Sequence, residues 1–204
     1  IIRDLVGQGV IVALGHSNAP LETVQNALDA GASGFTHLYN AMSPLTSREP
    51  GMVGAALLNN SVCGIIVDHH HIHPKAVELA YKVKGPHQLM LVTDAMAHVG
   101  ASDDTIAFFD THITRQGNKL TTPDGTLAGS CLDMHGAVTN SINDINIALE
   151  HASIMASATP ARFTKIHDRV GEIEVGKRAN FLVINNDNTL LEVWQNGSKR
   201  LCAN

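Results

Sequence analysis

The sequence predicts an α/β fold: part of a (β/α)8 barrel, followed by strands of a small β domain. Three observations predict it. Short apolar runs that read as buried strands end on polar turns, and a helical pattern follows each of them. Residues with useful chemistry stand where those strands stop, at His16, His37, Asp68 and Asp94, the place where barrels and doubly wound sheets keep their sites. No GxGxxG or P-loop motif accompanies them, so a nucleotide fold has no support.

The elements follow in order. A strand over 10–15 ends on His16-Ser-Asn-Ala19. A helix then runs from Pro20 to about Ala30, with Leu21, Val24 and Leu28 on its apolar face and Gly31 as a stop. A second strand, 33–37, ends on His37. Its loop continues past Asn40, Pro44, Arg48 and Pro50 to a short helical stretch, 52–58, and a loop of that length reads as a binding loop. The third strand, 62–67, leads to Asp68 and a histidine run. Pro74 then opens a helix over 74–84 whose inward stripe reads as Ala76, Leu79, Ala80 and Val83. The fourth strand, 88–93, ends on Asp94.

Beyond it the texture changes. Short strands and turns are expected near 105–109 and 120–125, then the small-residue loop Thr126-Leu-Ala-Gly-Ser130. Helices are expected over 133–150, with Val138, Ile142, Ile145 and Leu149 inward, and over 153–164, interrupted at Pro160. From Gly171 the pattern is β, with strands near 172–184 and 191–197. Two or three such strands cannot bury a face alone. Four clear units, with a fifth or sixth at most, fall short of the eight a barrel needs. The expectation is therefore the C-terminal half of a catalytic barrel over 1–170 and the C-terminal strands of a small β domain over 171–204. The chain opens on Ile1 inside what reads as the end of a helix, which fits a piece of something longer.

Composition narrows the function. The 204 residues are 44% hydrophobic and 16% charged, with net charge −5 and 4% aromatics. Scattered Lys and Arg give no basic patch for nucleic acid, and so few rings give no stacking platform. No run of about 18 apolar residues is present, so no membrane span is expected, and no signal peptide is visible. Cys63, Cys131 and Cys202 lie far apart in no CxxC pattern, as reduced thiols of a cytoplasmic protein do.

His16 and His37 end consecutive strands. Neighbouring parallel strands lie about 4.8 Å apart, so the two imidazoles can share one metal ion. A catalytic zinc typically takes three protein ligands. The third must come from Asp94, from the histidine run or from other chain. Asp94 can instead be the general acid/base. The run His69-His-His-Ile-His73 cannot converge on one ion, because successive side chains diverge. Arg48 is a candidate anion binder, since its planar fork matches phosphate. Leu127, Ala128 and Gly129 offer backbone N–H groups before a helix.

Several stretches, Gly15-His-Ser-Asn-Ala19, Thr36-His-Leu-Tyr-Asn-Ala-Met42, Arg48-Glu-Pro-Gly51, Val92-Thr-Asp-Ala95 and Thr126-Leu-Ala-Gly-Ser130, resemble the N-acetylglucosamine-6-phosphate deacetylases of the amidohydrolase superfamily. Gly176-Lys-Arg-Ala-Asn-Phe-Leu-Val183 resembles the strand by which superfamily members return to their small β domain. The resemblance implies a barrel of the metal-dependent hydrolase type and hydrolysis of the acetamide of N-acetylglucosamine 6-phosphate to glucosamine 6-phosphate and acetate. It implies His16 and His37 as metal ligands and Asp94 as the group that activates the attacking water and protonates the departing amine. Asn40 and Ala41 would hold the phosphate end, and Arg48 would meet the phosphate, across a dimer interface in some relatives. His71 would contact the sugar, and Leu127, Ala128 and Gly129 would line the substrate loop. The cofactor implied is a divalent metal ion, Zn first, with Fe, Co or Mn also suited to His and carboxylate. The implied partner is a small amino-sugar phosphate, and the implied assembly a homodimer or larger homo-oligomer. The family's third protein ligand is a glutamate on an earlier strand, which no part of this chain matches. The competing readings are another amidohydrolase acting on a cyclic amide or a nucleoside, and an inactive fragment lacking that ligand.

Overall fold

A computed structural model describes residues 1–200; Leu201 to Asn204, with Cys202 among them, lie outside the described residues. Helix α1 (Ile2–Gly7) leads to strand β1 (Ala13–Leu14), helix α2 (Leu21–Asp29), strand β2 (Gly34–Phe35) and helix α3 (Gly51–Leu58). Strand β3 (Val62–Ile65), helix α4 (Pro74–Lys84) and strand β4 (Leu89–Leu91) complete the repeating part. The four strands form one parallel sheet in the order β1-β2-β3-β4, with Leu14 beside Phe35, Phe35 beside Cys63, and Cys63 beside Leu89. This is the partial barrel expected, with half the strands that closure requires.

The strands are shorter than the apolar runs, although inter-strand bonds such as Thr36 N–H to Leu14 O and Leu38 N–H to Gly64 O carry the pairing further. β1 begins late because Gly9 (φ +85°) turns the chain after α1, and Val10 N–H bonds back to Leu5 O. Phe35, Ile65, Ile66, Leu89 and Leu91 of the sheet pack with Val24, Val77, Ala80 and Met155 of the helices. Helix α3 is apolar on every side and is buried from Gly51 to Leu57, as such a helix must be.

Helix α4 corrects the expected stripe. Val77, Ala80 and Lys84 face the core, while Leu79 and Val83 are each about half exposed. The buried Lys84 ammonium donates to the carbonyls of Ala56 and Asn59, at 3.0 and 2.5 Å, and so closes the end of α3.

After β4 the chain leaves the sheet to form an antiparallel sheet of β5 (Thr105–Phe108), β6 (Thr111–Gln116) and β7 (Lys119–Thr121). It is anchored to the loop after β4. Buried His98 donates from Nε2 to Ile113 O, and Arg115 donates to the carbonyls of His98 and Ala101. Helix α5 (Met134–Ile145) is capped by the Asp133 carboxylate, which accepts from Gly136 N–H. It stops at Asn146, in the left-handed conformation at φ 57°, a common helix stop, so the single helix expected to 150 is two. Helix α6 (Leu149–Ser153), a π turn over Ile154–Ala158 and helix α7 (Thr159–Phe163) run on without interruption. The wider π turn lets Pro160, which has no N–H to give, sit in the first turn of α7. A meander of β8 (Phe181–Ile184), β9 (Leu190–Gln195) and β10 (Ser198–Arg200) ends the described chain, with the rings of Phe181 and Trp194 stacked at 5.4 Å. No helix among the described residues is long and apolar enough to cross a membrane.

Candidate active site

Register brings His16 and His37 together. Leu14 and Phe35 are partners in the β1–β2 ladder, and each histidine stands two residues past its partner. Their Nε2 atoms lie 2.7 Å apart, with ring centroids 4.5 Å apart and planes at 80°. His37 is buried, and its Nδ1 faces the carbonyl of Asn40 at 3.1 Å. A carbonyl only accepts, so Nδ1 carries the proton and Nε2 of neutral His37 presents a bare lone pair to His16. A ligand histidine fixed by a backbone carbonyl on its far nitrogen suits a metal ion, so this donor set fits a divalent cation. Among the described residues no third His, Cys, Asp or Glu joins the pair.

The backbone at these strand ends is strained. His16, His37, Tyr39, Ala41 and Asp94 have φ of 47°, 22°, 77°, 48° and 51°, a region that costs a non-glycine residue on the order of 1–2 kcal/mol. Strain of this kind persists where surrounding structure over-determines it, and it clusters at functional sites. Here the restraint is visible. Ser17 N–H bonds to Ala41 O and Ser43 N–H to Ser17 O, joining the turn after β1 to the turn after β2. The Ser43 hydroxyl donates to Ala19 O and accepts from Met52 N–H. The Glu49 carboxylate accepts from Leu21 N–H and Gly51 N–H and fastens the long loop to α2. These two bonds hold its carboxyl below the usual range. Gly15 permits the close approach, since a Cβ there would lie 2.2 Å from the Thr36 methyl.

Asp94 and the small-residue loop form a second group. Ser130 N–H bonds to Asp94 O, Met96 N–H bonds to Ser130 O, and the Ser130 hydroxyl donates to Thr93 O. Gly129 thus lies directly beside Asp94, where a Cβ on it (φ +64°) would come within 3.0 Å of the Asp94 carbonyl, while Leu127 and Ala128 pair with Thr121 and Leu120 of β7. Asp94 is exposed at the end of β4, two strands from His37, which is roughly 10 Å across a flat sheet.

Between the two groups, at the end of β3, His71 Nδ1 meets Asp68 Oδ2 at 2.6 Å, with side chains 8% and 6% exposed. Burial raises the Asp68 carboxyl, but the His71 ring and two backbone N–H groups outweigh it and leave it at about 2. The rest of the histidine run disperses as expected: His69 pairs with Asp144, and His73 caps α4 by accepting from Lys75 N–H. Arg48 is exposed on the long loop, and the Asn40 amide donates to Leu38 O. Burial pushes the Cys63 thiol up to about 11, and both described cysteines are free. Sequence reasoning missed Ser17, Ser43, Glu49, Asp68 and Ser130 as supports, although each lies in or beside a stretch already singled out. What marks them is hydrogen bonding across the chain, which spacing does not carry.

The amidohydrolase family model matches residues 4–200. An N-acetylgalactosamine-6-phosphate deacetylase of Shewanella sp. (strain ANA-3) is 49% identical over 95% of this chain and 49% of its own length. An N-acetylglucosamine-6-phosphate deacetylase of Vibrio furnissii is 38% identical over 96% of this chain and 49% of its own. The crystal structure of N-acetylglucosamine-6-phosphate deacetylase from Pasteurella multocida superposes with a TM-score of 0.94 at 39% identity, covering 98% of this chain and 52% of that one. The chain spans about half the length of the curated relatives it matches.

Proposed function

The chain belongs to the amidohydrolase family, and from that premise we propose that it forms the C-terminal half of a deacetylase that converts N-acetylglucosamine 6-phosphate to glucosamine 6-phosphate and acetate. The observation that carries the reading is the convergence of His16 and His37 Nε2 at the carboxyl edge of the parallel sheet. In it, residues 1–170 are half of the catalytic barrel and residues 171–204 the last strands of a small β domain, with β5–β7 an excursion from the barrel.

The family implies a divalent metal ion, and zinc is the ion proposed here. His16 and His37 would hold it, with the third protein ligand supplied from outside this chain. Bound there, the ion would polarise the acetyl carbonyl and make water a strong nucleophile. Asp94 takes a proton from the attacking water and delivers it to the nitrogen as the C–N bond breaks, so one carboxylate serves both proton steps. The loop Leu127–Gly129, tied to the Asp94 backbone through Ser130, walls that carboxylate on one side. Asn40, Ala41 and Arg48 take the phosphate, Arg48 across a homodimer interface, and His71 takes the sugar. A dianion anchored away from the reacting bond lets remote binding energy orient the acetamide. Free thiols and a small phosphorylated substrate suit the cytoplasm. A second reading, N-acetylgalactosamine 6-phosphate as substrate, is favoured by the Shewanella relative, whose 49% identity exceeds the 38% of the Vibrio enzyme.

Acetate release tests this. The chain is assayed alone and co-expressed with the N-terminal half of the Shewanella relative, on both sugar phosphates. The chain alone should be inactive, for want of the third ligand, and the pair active. Asp94→Asn in the pair should lower kcat by about 10²-fold or more. An inactive pair, or a pair indifferent to Asp94→Asn, overturns the reading. The ratio of kcat/KM for the two epimers decides between the substrates.

A further inference from the structure

We propose that Asp68 is a positioning residue that fixes His71 in its Nδ1–H form, so that Nε2 is the ring atom offered to a hydroxyl of the sugar. The inference rests on the reading of His71 as a sugar contact and deepens it.

The two carboxylate oxygens of Asp68 have separate duties. Oδ1 accepts from the backbone N–H groups of His70 and His71, both at 2.9 Å, and so closes the turn after β3. Oδ2 is not needed for that turn and is committed to His71 Nδ1 at 2.6 Å. A carboxylate held at about 2 is ionised at any working pH and has no proton to donate. The hydrogen between Oδ2 and Nδ1 therefore belongs to the ring. In the neutral imidazole the remaining nitrogen, Nε2, is then an acceptor, and its natural partner is a donor such as an O–H. The pair is shielded, with 8% and 6% of the side chains exposed, so water competes little for Nδ1.

One substitution separates this duty from the turn. In Asp68→Asn the amide oxygen is still required at the Oδ1 position by two N–H groups. The NH2 must then stand where Oδ2 stood and donate to Nδ1. The turn survives, and the ring is driven to the opposite tautomer, with hydrogen on Nε2 and no acceptor left for the sugar. An aspartate-to-asparagine change beside a working histidine has this wrong-tautomer effect in a serine protease.

The test has two arms. Nitrogen-15 NMR of the imidazoles, recorded on the co-expressed pair at a pH where His71 is neutral, should show Nδ1–H in the wild type and Nε2–H in Asp68→Asn. In the reconstituted pair described above, the same variant should lower kcat/KM by about 10- to 100-fold, as expected for one lost hydrogen bond turned repulsive. Nε2–H in the wild type overturns the proposal, and that spectrum decides even if the variant does not fold. An unchanged tautomer in the variant overturns it too, as does an inverted tautomer with kcat/KM unchanged. Should the wild-type pair release no acetate, the deacetylase reading fails while the NMR arm still decides the role of Asp68.

Discussion

Asp68 also shows how one buried carboxylate couples the site to stability. Its carboxyl lies near 2 in the folded chain against an ordinary 3.8. The unfolded chain therefore binds the proton more readily, and folding stability rises with pH across that window. The contribution is complete above about 4 and disappears as pH falls through 2, amounting to about 2 kcal/mol. Urea unfolding between pH 2 and pH 5 should show this loss in the wild type and a flatter profile in Asp68→Asn. Equal slopes for the two proteins would contradict it. His16 and His37 act differently: their value lies in two ring nitrogens meeting at 2.7 Å, held by a carbonyl and by strained backbone rather than by charge.

Among the elements, helix α4 shows why an apolar period is ambiguous. Ala76, Leu79, Ala80 and Val83 satisfy helical spacing, and so do Val77, Ala80 and Lys84. The second set is the buried one, because Lys84 has carbonyl partners at the end of α3 waiting beneath it. Burial pushes its ammonium down, yet the two acceptors keep it in place. Lys84→Met should cost about 1–3 kcal/mol by stranding two carbonyl oxygens, read as a lower urea midpoint with an unchanged slope. A midpoint equal to wild type would mean that water satisfies those carbonyls. The break at Asn146 was likewise hidden in the sequence: apolar spacing continued to Leu149, and only the left-handed backbone of Asn146 divides the run.

For the whole molecule, the decisive feature is the parallel sheet with β1 and β4 at its edges. A barrel has no edges, whereas an open parallel sheet presents unpaired N–H and C=O groups that recruit other chains. Apolar side chains such as Leu58, Leu79, Ile173 and Val175 are also exposed. The 21.7 kDa chain expressed alone should therefore associate or come down insoluble, and the N-terminal half of a relative should restore a defined soluble complex in size-exclusion chromatography. A well-behaved monomer would show that the edges are tolerated.

The sequence by itself determined at the end of which strand each candidate residue stands. Apolar runs broken at His16, His37, Asp68 and Asp94 specify strands that end where chemistry begins, because alternating burial and turn residues are local properties. The five family-like stretches made the likeness legible before any coordinate. Only the tertiary structure decided who touches whom. It joined His16 to His37 through the register of β1 on β2, gave His71 its buried carboxylate, laid Gly129 against Asp94, and kept Asp94 two strands away from His37 and three from His16. Register, backbone strain and cross-chain hydrogen bonds arise from the packing of segments far apart in sequence, and no local pattern encodes them.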